Sequence, residues 1–268
     1  MSAETQVHKT AIIAKDAEIG EGAAVGPYCV VHEKTRIGPG AVLHGHVTVF
    51  PNVTIGGNAQ IWPNVILGGP PQDVKYQGGD TKLIIGEGNV IREGATLHVG
   101  STTGEGVTRV GDDNYLMAYS HVAHDCQVGN STILSQNVLL AGHVHVEDFA
   151  IICGGSALHQ FVRVGTGCYI GGLTRIVHDV PPYMIVEGNP SSVRGVNVVG
   201  LRRRGVSEET IESLREAYRI LWSSEAIRVN AVRLVRETVV STPEVERLLH
   251  FLEQMDQGKH GRYLESSR

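Results

Sequence analysis

From Val7 onward every sixth residue is aliphatic: Val7, Ile13, Ile19, Val25, Val31, Ile37, Leu43, Val49, Ile55, Ile61 and Leu67. The phase breaks, returns at Ile85, Ile91 and Leu97, breaks again, and resumes at Val110 to run through to Ile176. Four residues after most of these positions the side chain is small, as at Ala17, Ala23, Cys29, Thr35, Ala41, Ser120, Cys126, Thr132, Ala150, Ser156 and Cys168. Gly often follows the aliphatic directly, as in Ile19-Gly20, Val25-Gly26, Ile37-Gly38 and Val128-Gly129. A helix repeats at 3.6 residues and a flat strand at 2, so neither gives a period of six. A short strand followed by a tight turn does. One large and one small side chain then point inward, and Gly or Asn takes the left-handed turn position.

Hexapeptide periods signal a parallel β-helix. The pattern is similar to the left-handed type, a triangular prism with three hexads, 18 residues, to the coil. The handedness rests on that resemblance and not on the period, and it departs from the usual right-handed crossover. The predicted fold is therefore mainly β: a left-handed parallel β-helix over 1–189 and an α-helical domain over 190–268. The breaks at 69–84 and 98–109 read as loops extruded from a corner, and long loops on a rigid scaffold commonly carry function. After Pro190 helical periodicity is expected. Ser207 N-caps a helix over 208–222 with Glu208 and Glu209 in its first turn. A second helix covers about 225–239, and a third starts at Thr242-Pro243. The tail from Gly258 is expected to fray.

Composition narrows the class. Apolar residues make up 41% and charged residues 19% of the 268, which excludes general disorder. The 33 glycines follow no G-X-Y period, which excludes collagen. The net charge of -5 argues against general nucleic-acid binding. It is uneven: 1–189 sums to -7 and 190–268 to +2, so an acidic partner is expected at the C-terminal part. No apolar run approaches the ~20 residues that span a membrane. The N-terminus lacks a signal-peptide pattern, so a cytoplasmic location is expected. The four cysteines show no CxxC, which indicates neither a disulfide framework nor a thiolate zinc site.

A prism filled with Val, Ile and Leu leaves no internal cavity. A site must lie outside it, against a loop, a helical cap or a second subunit, which argues for a homo-oligomer. Histidines crowd YSHVAHDC (His121, His124), AGHVHV (His143, His145) and LHQF (His159). Val122 is an inward position, so His124 falls outward at a turn. One coil further is Gly142, and one more is Gln160. His124, Gly142-His143 and His159-Gln160 therefore stack on one corner within roughly 10 Å. An imidazole beside a carboxylate, Asp125, suits a general base near pH 7. Two rival chemistries use the same residues. Cys126 and His124 could form a Cys–His nucleophile, although Cys126 sits at the inward small position. Three histidines could hold zinc, as in hexapeptide-repeat carbonic anhydrases, which resemble this chain in scaffold but are shorter and space their histidines differently. The run Arg202-Arg203-Arg204 suits either a phosphate clamp or a dock for an acidic protein.

Seven segments are far more specific than the hexads: PPQDVKY (70–76), VIREGATLH (90–98), NYLMAYSHVAHDCQVGN (114–130), LAGHVHVEDFAIICG (140–154), HQFVRVG (159–165), HDVPPY (178–183) and GVNVVGLRRRG (195–205). Through them the chain resembles, over essentially its whole length, the UDP-N-acetylglucosamine O-acyltransferase family of lipid A biosynthesis. The resemblance implies that a (3R)-3-hydroxyacyl chain passes from acyl carrier protein to the 3-hydroxyl of UDP-GlcNAc, without cofactor, metal or covalent intermediate. It implies His124 as general base, Asp125 as its orienting group and the Gly142 N–H as oxyanion donor. His121, His143, His159 and Gln160 would position substrates. Asp73 and Lys75 would reach over the cleft, and Asn197, Arg203 and Arg204 would hold the nucleotide. Gly172 would limit acyl length, set near fourteen carbons. The implied assembly is a homotrimer. Val199 stands where the family can carry an acidic residue, so one nucleotide contact is expected to differ. The pathway's later N-acyltransferase shares the scaffold but carries a uridine-binding domain before its repeats, whereas here the repeats begin by Val7. A purely structural β-helix would not need the stacked His–Asp corner.

Overall fold

A computed structural model describes residues 4–222 and 227–267. The chain winds as a left-handed parallel β-helix. Its strands, mostly two residues long, stack into three sheets of 11, 9 and 8 strands, here named A, B and C. Gln6 pairs with Ala24 and Val7 with Val25, which is the 18-residue coil. The hexad aliphatics form the core: Leu43, Ile61, Leu97, Leu116, Leu134 and Leu140 are all fully buried. The small residues four positions on, including Cys29, Thr35, Ala41, Ser120 and Cys126, are buried with them. Each buried Leu or Ile contributes roughly 1.5–3 kcal/mol.

The turns take the left-handed backbone conformation, but not only at Gly and Asn as expected. Asn52, Asn58, Asn64 and Asn137 do so, and so do Asp125, His143 and Phe161, at φ of 59°, 62° and 66°. For a bulky residue such a φ costs roughly 1–2 kcal/mol. These three occupy the same place in successive coils, and the same conformation recurs at the other two corners, as at Tyr119 and Phe149.

Both breaks in the grid are loops, shorter than expected. The strand Ile66–Gly69 runs into the first and Lys82–Ile85 leaves it, so the excursion is 70–81. Thr96–His98 and Val107–Val110 bound the second, leaving 99–106. They lengthen their coils, so Ile61 pairs with Ile91 and Leu97 with Val122. Both loops leave from the corner where sheet B passes to sheet C.

The expected boundary at 189/190 falls in a turn. The first element beyond it is a strand, Ser191–Val196, which pairs antiparallel with Met184–Gly188 at the end of sheet A. Among the described residues four helices come next: α1 (Val198–Arg203), α2 (Glu208–Trp222), α3 (Arg228–Thr238) and α4 (Pro243–Gln257). The short α1 was not expected. Its cap is Asn197, whose side chain accepts from the Gly200 N–H. Ser207 accepts from the Thr210 N–H at 3.2 Å as the cap of α2. The expected start of α3 at 225 lies outside the described residues. The tail corrects the expectation of fraying: Lys259 bridges Arg262, and residues Tyr263–Ser267 form a 3-10 turn docked on the last coil.

Candidate active site

The turn between His121–Val122 and Gln127–Val128 carries His124 and Asp125 on the B-to-C corner. One coil on, the His143 N–H donates to the His124 carbonyl at 3.0 Å, and the Phe161 N–H donates to the Gly142 carbonyl at 3.3 Å. The predicted stack of His124, Gly142 and Gln160 is therefore real. A Cβ on Gly142 would lie 2.6 Å from His124 Cε1 and 2.7 Å from Nε2. Only glycine lets the ring pack over that coil.

Asp125 is fully buried, and its carboxylate is held from every side. His124 Nδ1 lies 2.8 Å from Oδ2. The Ser101 hydroxyl donates to Oδ2 at 2.6 Å, and the Ser101 N–H reaches both oxygens at 3.1 Å. The Gly106 N–H donates to Oδ1 at 3.1 Å. Burial pushes this carboxyl up, but the bonds from His124 and Ser101, with the nearby His143, outweigh it and hold the group down at about 2. Asp125 is thus an acceptor at neutral pH. His124 must place its proton on Nδ1, which leaves Nε2 a free acceptor.

His143 Nε2 lies 3.8 Å from Asp125 Oδ2, and its ring meets His124 edge-on at 5.1 Å. Phe161 stacks on its other side, centroids 4.6 Å apart at 11°. His159 bonds the Gln160 carbonyl through Nδ1 at 2.9 Å. His121 lies on the outer face of sheet B, bonded to Thr96 Oγ1 at 2.7 Å and edge-on to His98. Burial, with the nearby His124, lowers the pKa of His121. His98 is more deeply set; burial, with His121 and His124 beside it, drives it down to about 4.

The rival chemistries fit these residues less well. Cys126 is fully buried, burial pushes its thiol up to about 12, and its Sγ donates to the Ala141 carbonyl. It is a packing residue and not an available thiolate. One donor atom each from His124, Asp125 and His143 lie within 4.8 Å of one another. Any ion there would have to displace the His124, Ser101 and Gly106 donors already on Asp125.

The other expected residues lie on the first loop, on the outer face of sheet A and at the A-to-B corner. Asp73 and Lys75 sit on the first loop, where the Lys75 N–H donates to Asp73 Oδ1 at 2.9 Å. Asn197, Arg203 and Arg204 line a groove of about 410 Å³ on the outer face of sheet A, with Phe149, Tyr169 and Val199. Asn197 donates to the Gly167 carbonyl while capping α1, and the Arg204 guanidinium lies 4.2 Å over the Phe149 ring. Gly172 is exposed at the A-to-B corner, away from His124, as its register requires. Arg202 pairs with Glu208, and Arg215 and Arg219 share Glu212.

Ser101, Gly104, Gly106 and Thr108 escaped the sequence reading. Thr108 Oγ1 accepts the Asp125 N–H at 2.8 Å, and Gly104 packs so closely on the carboxylate that a side chain there would overlap it. The signal was present: pairing Leu97 with Val122 brings residues 100–101 beside 125. Counting 18 residues through the second loop misses it.

Comparison with known proteins agrees with the fold. Residues 179–261 match the family described as Udp N-acetylglucosamine O-acyltransferase, domain 2, and 16–51 and 107–142 match the bacterial transferase hexapeptide family. An acyl-(acyl-carrier-protein)–UDP-N-acetylglucosamine O-acyltransferase of Paraburkholderia phymatum is 46% identical over 95% of this chain and 98% of its own. LpxA from Acinetobacter baumannii superposes with a TM-score of 0.88 at 40% identity, covering 92% of this chain and 96% of that one. The Arabidopsis UDP-N-acetylglucosamine acyltransferase gives 0.83 at 33%, covering 92% and 96%. Seen against this likeness along nearly the full chain, the protein is an acyltransferase belonging to the UDP-N-acetylglucosamine O-acyltransferase family.

Proposed function

We propose that the protein transfers a (3R)-3-hydroxyacyl chain from acyl carrier protein to the 3-hydroxyl of UDP-GlcNAc, the first step of lipid A biosynthesis. The observation that carries the reading is His124 fixed through Nδ1 by a buried, ionised Asp125, with Nε2 left open beside Gly142. Nε2 takes the proton of the sugar hydroxyl as its oxygen attacks the thioester carbon. The Gly142 N–H donates to the oxyanion, since donors aimed at developing charge stabilise the transition state. As the carbon–sulfur bond breaks, the imidazolium returns the proton to the leaving thiolate. No covalent enzyme intermediate is involved, in keeping with the buried Cys126.

In this reading His121, His143, His159 and Gln160 position the two substrates, and Asp73 and Lys75 reach over them. The groove under α1 takes the nucleotide, with Arg203 and Arg204 on its phosphates. That groove opens on sheet A, whereas His124 stands on the B-to-C corner. In this reading a complete site joins two chains, and the assembly is the homotrimer that the family resemblance implies. Gly172, on the A-to-B corner, faces the same cleft from the neighbour and bounds the acyl chain. The +2 charge of 190–268 favours the acidic carrier protein, although Arg202, Arg215 and Arg219 already face glutamates. The domain division at 189/190 separates the catalytic prism from this docking part. Among the described residues no helix is long and apolar enough to cross a membrane. The reading is tested by incubating the protein with UDP-GlcNAc and a 3-hydroxyacyl carrier protein. An O-acylated sugar nucleotide supports it; product from the 3-amino analogue alone would reassign the acceptor.

A further inference from the structure

The C-terminal segment is tied to the last coil of the prism by bonds at consecutive residues. The Asp179 N–H donates to the Gly261 carbonyl at 2.8 Å, and Asp179 Oδ2 accepts from the Tyr263 N–H at 3.0 Å. The other Asp179 oxygen takes the Arg163 N–H at 2.7 Å. Arg262 is buried, and its Nη1 donates to the Val177 carbonyl at 2.7 Å. His178 Nδ1 lies 2.6 Å from the His260 carbonyl. A buried carboxylate and a buried guanidinium are tolerated only with such partners, so the path of residues 260–263 is fixed.

Leu264 is the next residue along. It lines a cavity of about 260 Å³ together with residues 103–105 of the second loop and with His143, His145 and Phe161. Two of these surfaces belong to the corner already described. Gly104 packs on the Asp125 carboxylate, and Phe161 stacks on the His143 ring. The segment expected to fray thus ends at a cavity that the His143–Phe161 pair also lines.

We infer that the C-terminal segment is part of the catalytic corner, and that Leu264 is a positioning residue which narrows the cavity beside Phe161 and His143 and limits solvent access to them. The inference rests on the proposed acyl transfer. Leu264 is the residue of the C-terminal segment that borders this cavity, and its side chain is apolar. It touches no reacting atom; its effect passes through Phe161 to His143.

Two measurements on Leu264→Ala decide this. The first is the rate at which diethyl pyrocarbonate modifies each histidine, read by mass spectrometry and needing no turnover. His143 and His145 should react about three- to tenfold faster than in wild type, while His44, remote on the prism, should not change. The second is the split between kcat and KM. kcat should fall about three- to tenfold with little change in KM, and Leu264→Met should restore most of it. Unchanged labelling of His143 overturns the inference, as does a kcat loss that Leu264→Met does not repair. Wild type without activity toward the two substrates would instead defeat the acyl-transfer reading, and the labelling result would stand on its own.

Discussion

His124 Nδ1 and Asp125 Oδ2 are 2.8 Å apart, and Asp125 is fully buried while the His124 side chain keeps 16% of its surface exposed. This difference in exposure sets the chemistry. The carboxylate is walled in by the second loop and stays ionised; the imidazole borders the cleft with one nitrogen free. Asp125→Asn keeps the shape but presents an N–H or a neutral oxygen, so the required tautomer loses its support. kcat on UDP-GlcNAc should fall about 10²–10⁴-fold with KM nearly unchanged. Activity within a fewfold of wild type would mean that Asp125 only packs.

Gly104→Ala tests the wall itself. Its Cβ would overlap the Asp125 carboxylate, so the loop must move off the corner and loosen the Ser101 and Gly106 donors. Thermal stability should fall modestly, because a buried carboxylate loses donors, while kcat should drop about ten- to a hundredfold. Equal activity in the purified variant would show that the loop does not hold Asp125 in place.

His98 gives a stability prediction with a definite sign. Burial and its histidine neighbours lower its pKa from 6.5 to about 4. The folded state therefore favours the neutral ring. The contribution is present above pH 6.5 and is lost as pH falls from there toward 4, because the unfolded chain takes up the proton first. By pH 5 the loss is about 2 kcal/mol. In thermal melts, wild type should lose more stability than His98→Asn between pH 7 and pH 5. A gap between the two that stays constant with pH would contradict a buried neutral imidazole.

Gly172 tests the acyl groove. Nothing stands closer to a Cβ built there than the Gly154 carbonyl at 3.4 Å, so a longer side chain fits and projects outward. Each excluded CH₂ is worth ~0.8 kcal/mol. Wild type should prefer donors near fourteen carbons, and Gly172→Met should shift preference to shorter ones while retaining turnover. Competition assays with donors of ten to fourteen carbons read this directly; an unmoved preference places the limit elsewhere.

The core was legible because one residue in six had to be aliphatic, and Leu43, Ile61 and Leu140 are buried where the period put them. The stack of His124, Gly142 and Gln160 was legible for the same reason, since coils without insertions keep register. Ser101 was not, because the second loop interrupts the count. Nor was the docking of the tail. Arg262 and Tyr263 read as polar end residues, and only Asp179 and Val177, more than eighty positions earlier, give their groups partners. The left-handed φ of Asp125, His143 and Phe161 had no signal in residue type, since it is imposed by the coils above and below.

The central claim is that His124 Nε2 removes the proton of the acceptor hydroxyl. Its most direct test is single-turnover transfer from 3-hydroxyacyl carrier protein to UDP-GlcNAc by wild type and by His124→Ala at matched circular dichroism and oligomeric state. The transfer rate should fall about 10²–10⁴-fold in the variant, with nucleotide affinity retained. A well-folded His124→Ala that transfers at near the wild-type rate would contradict the account.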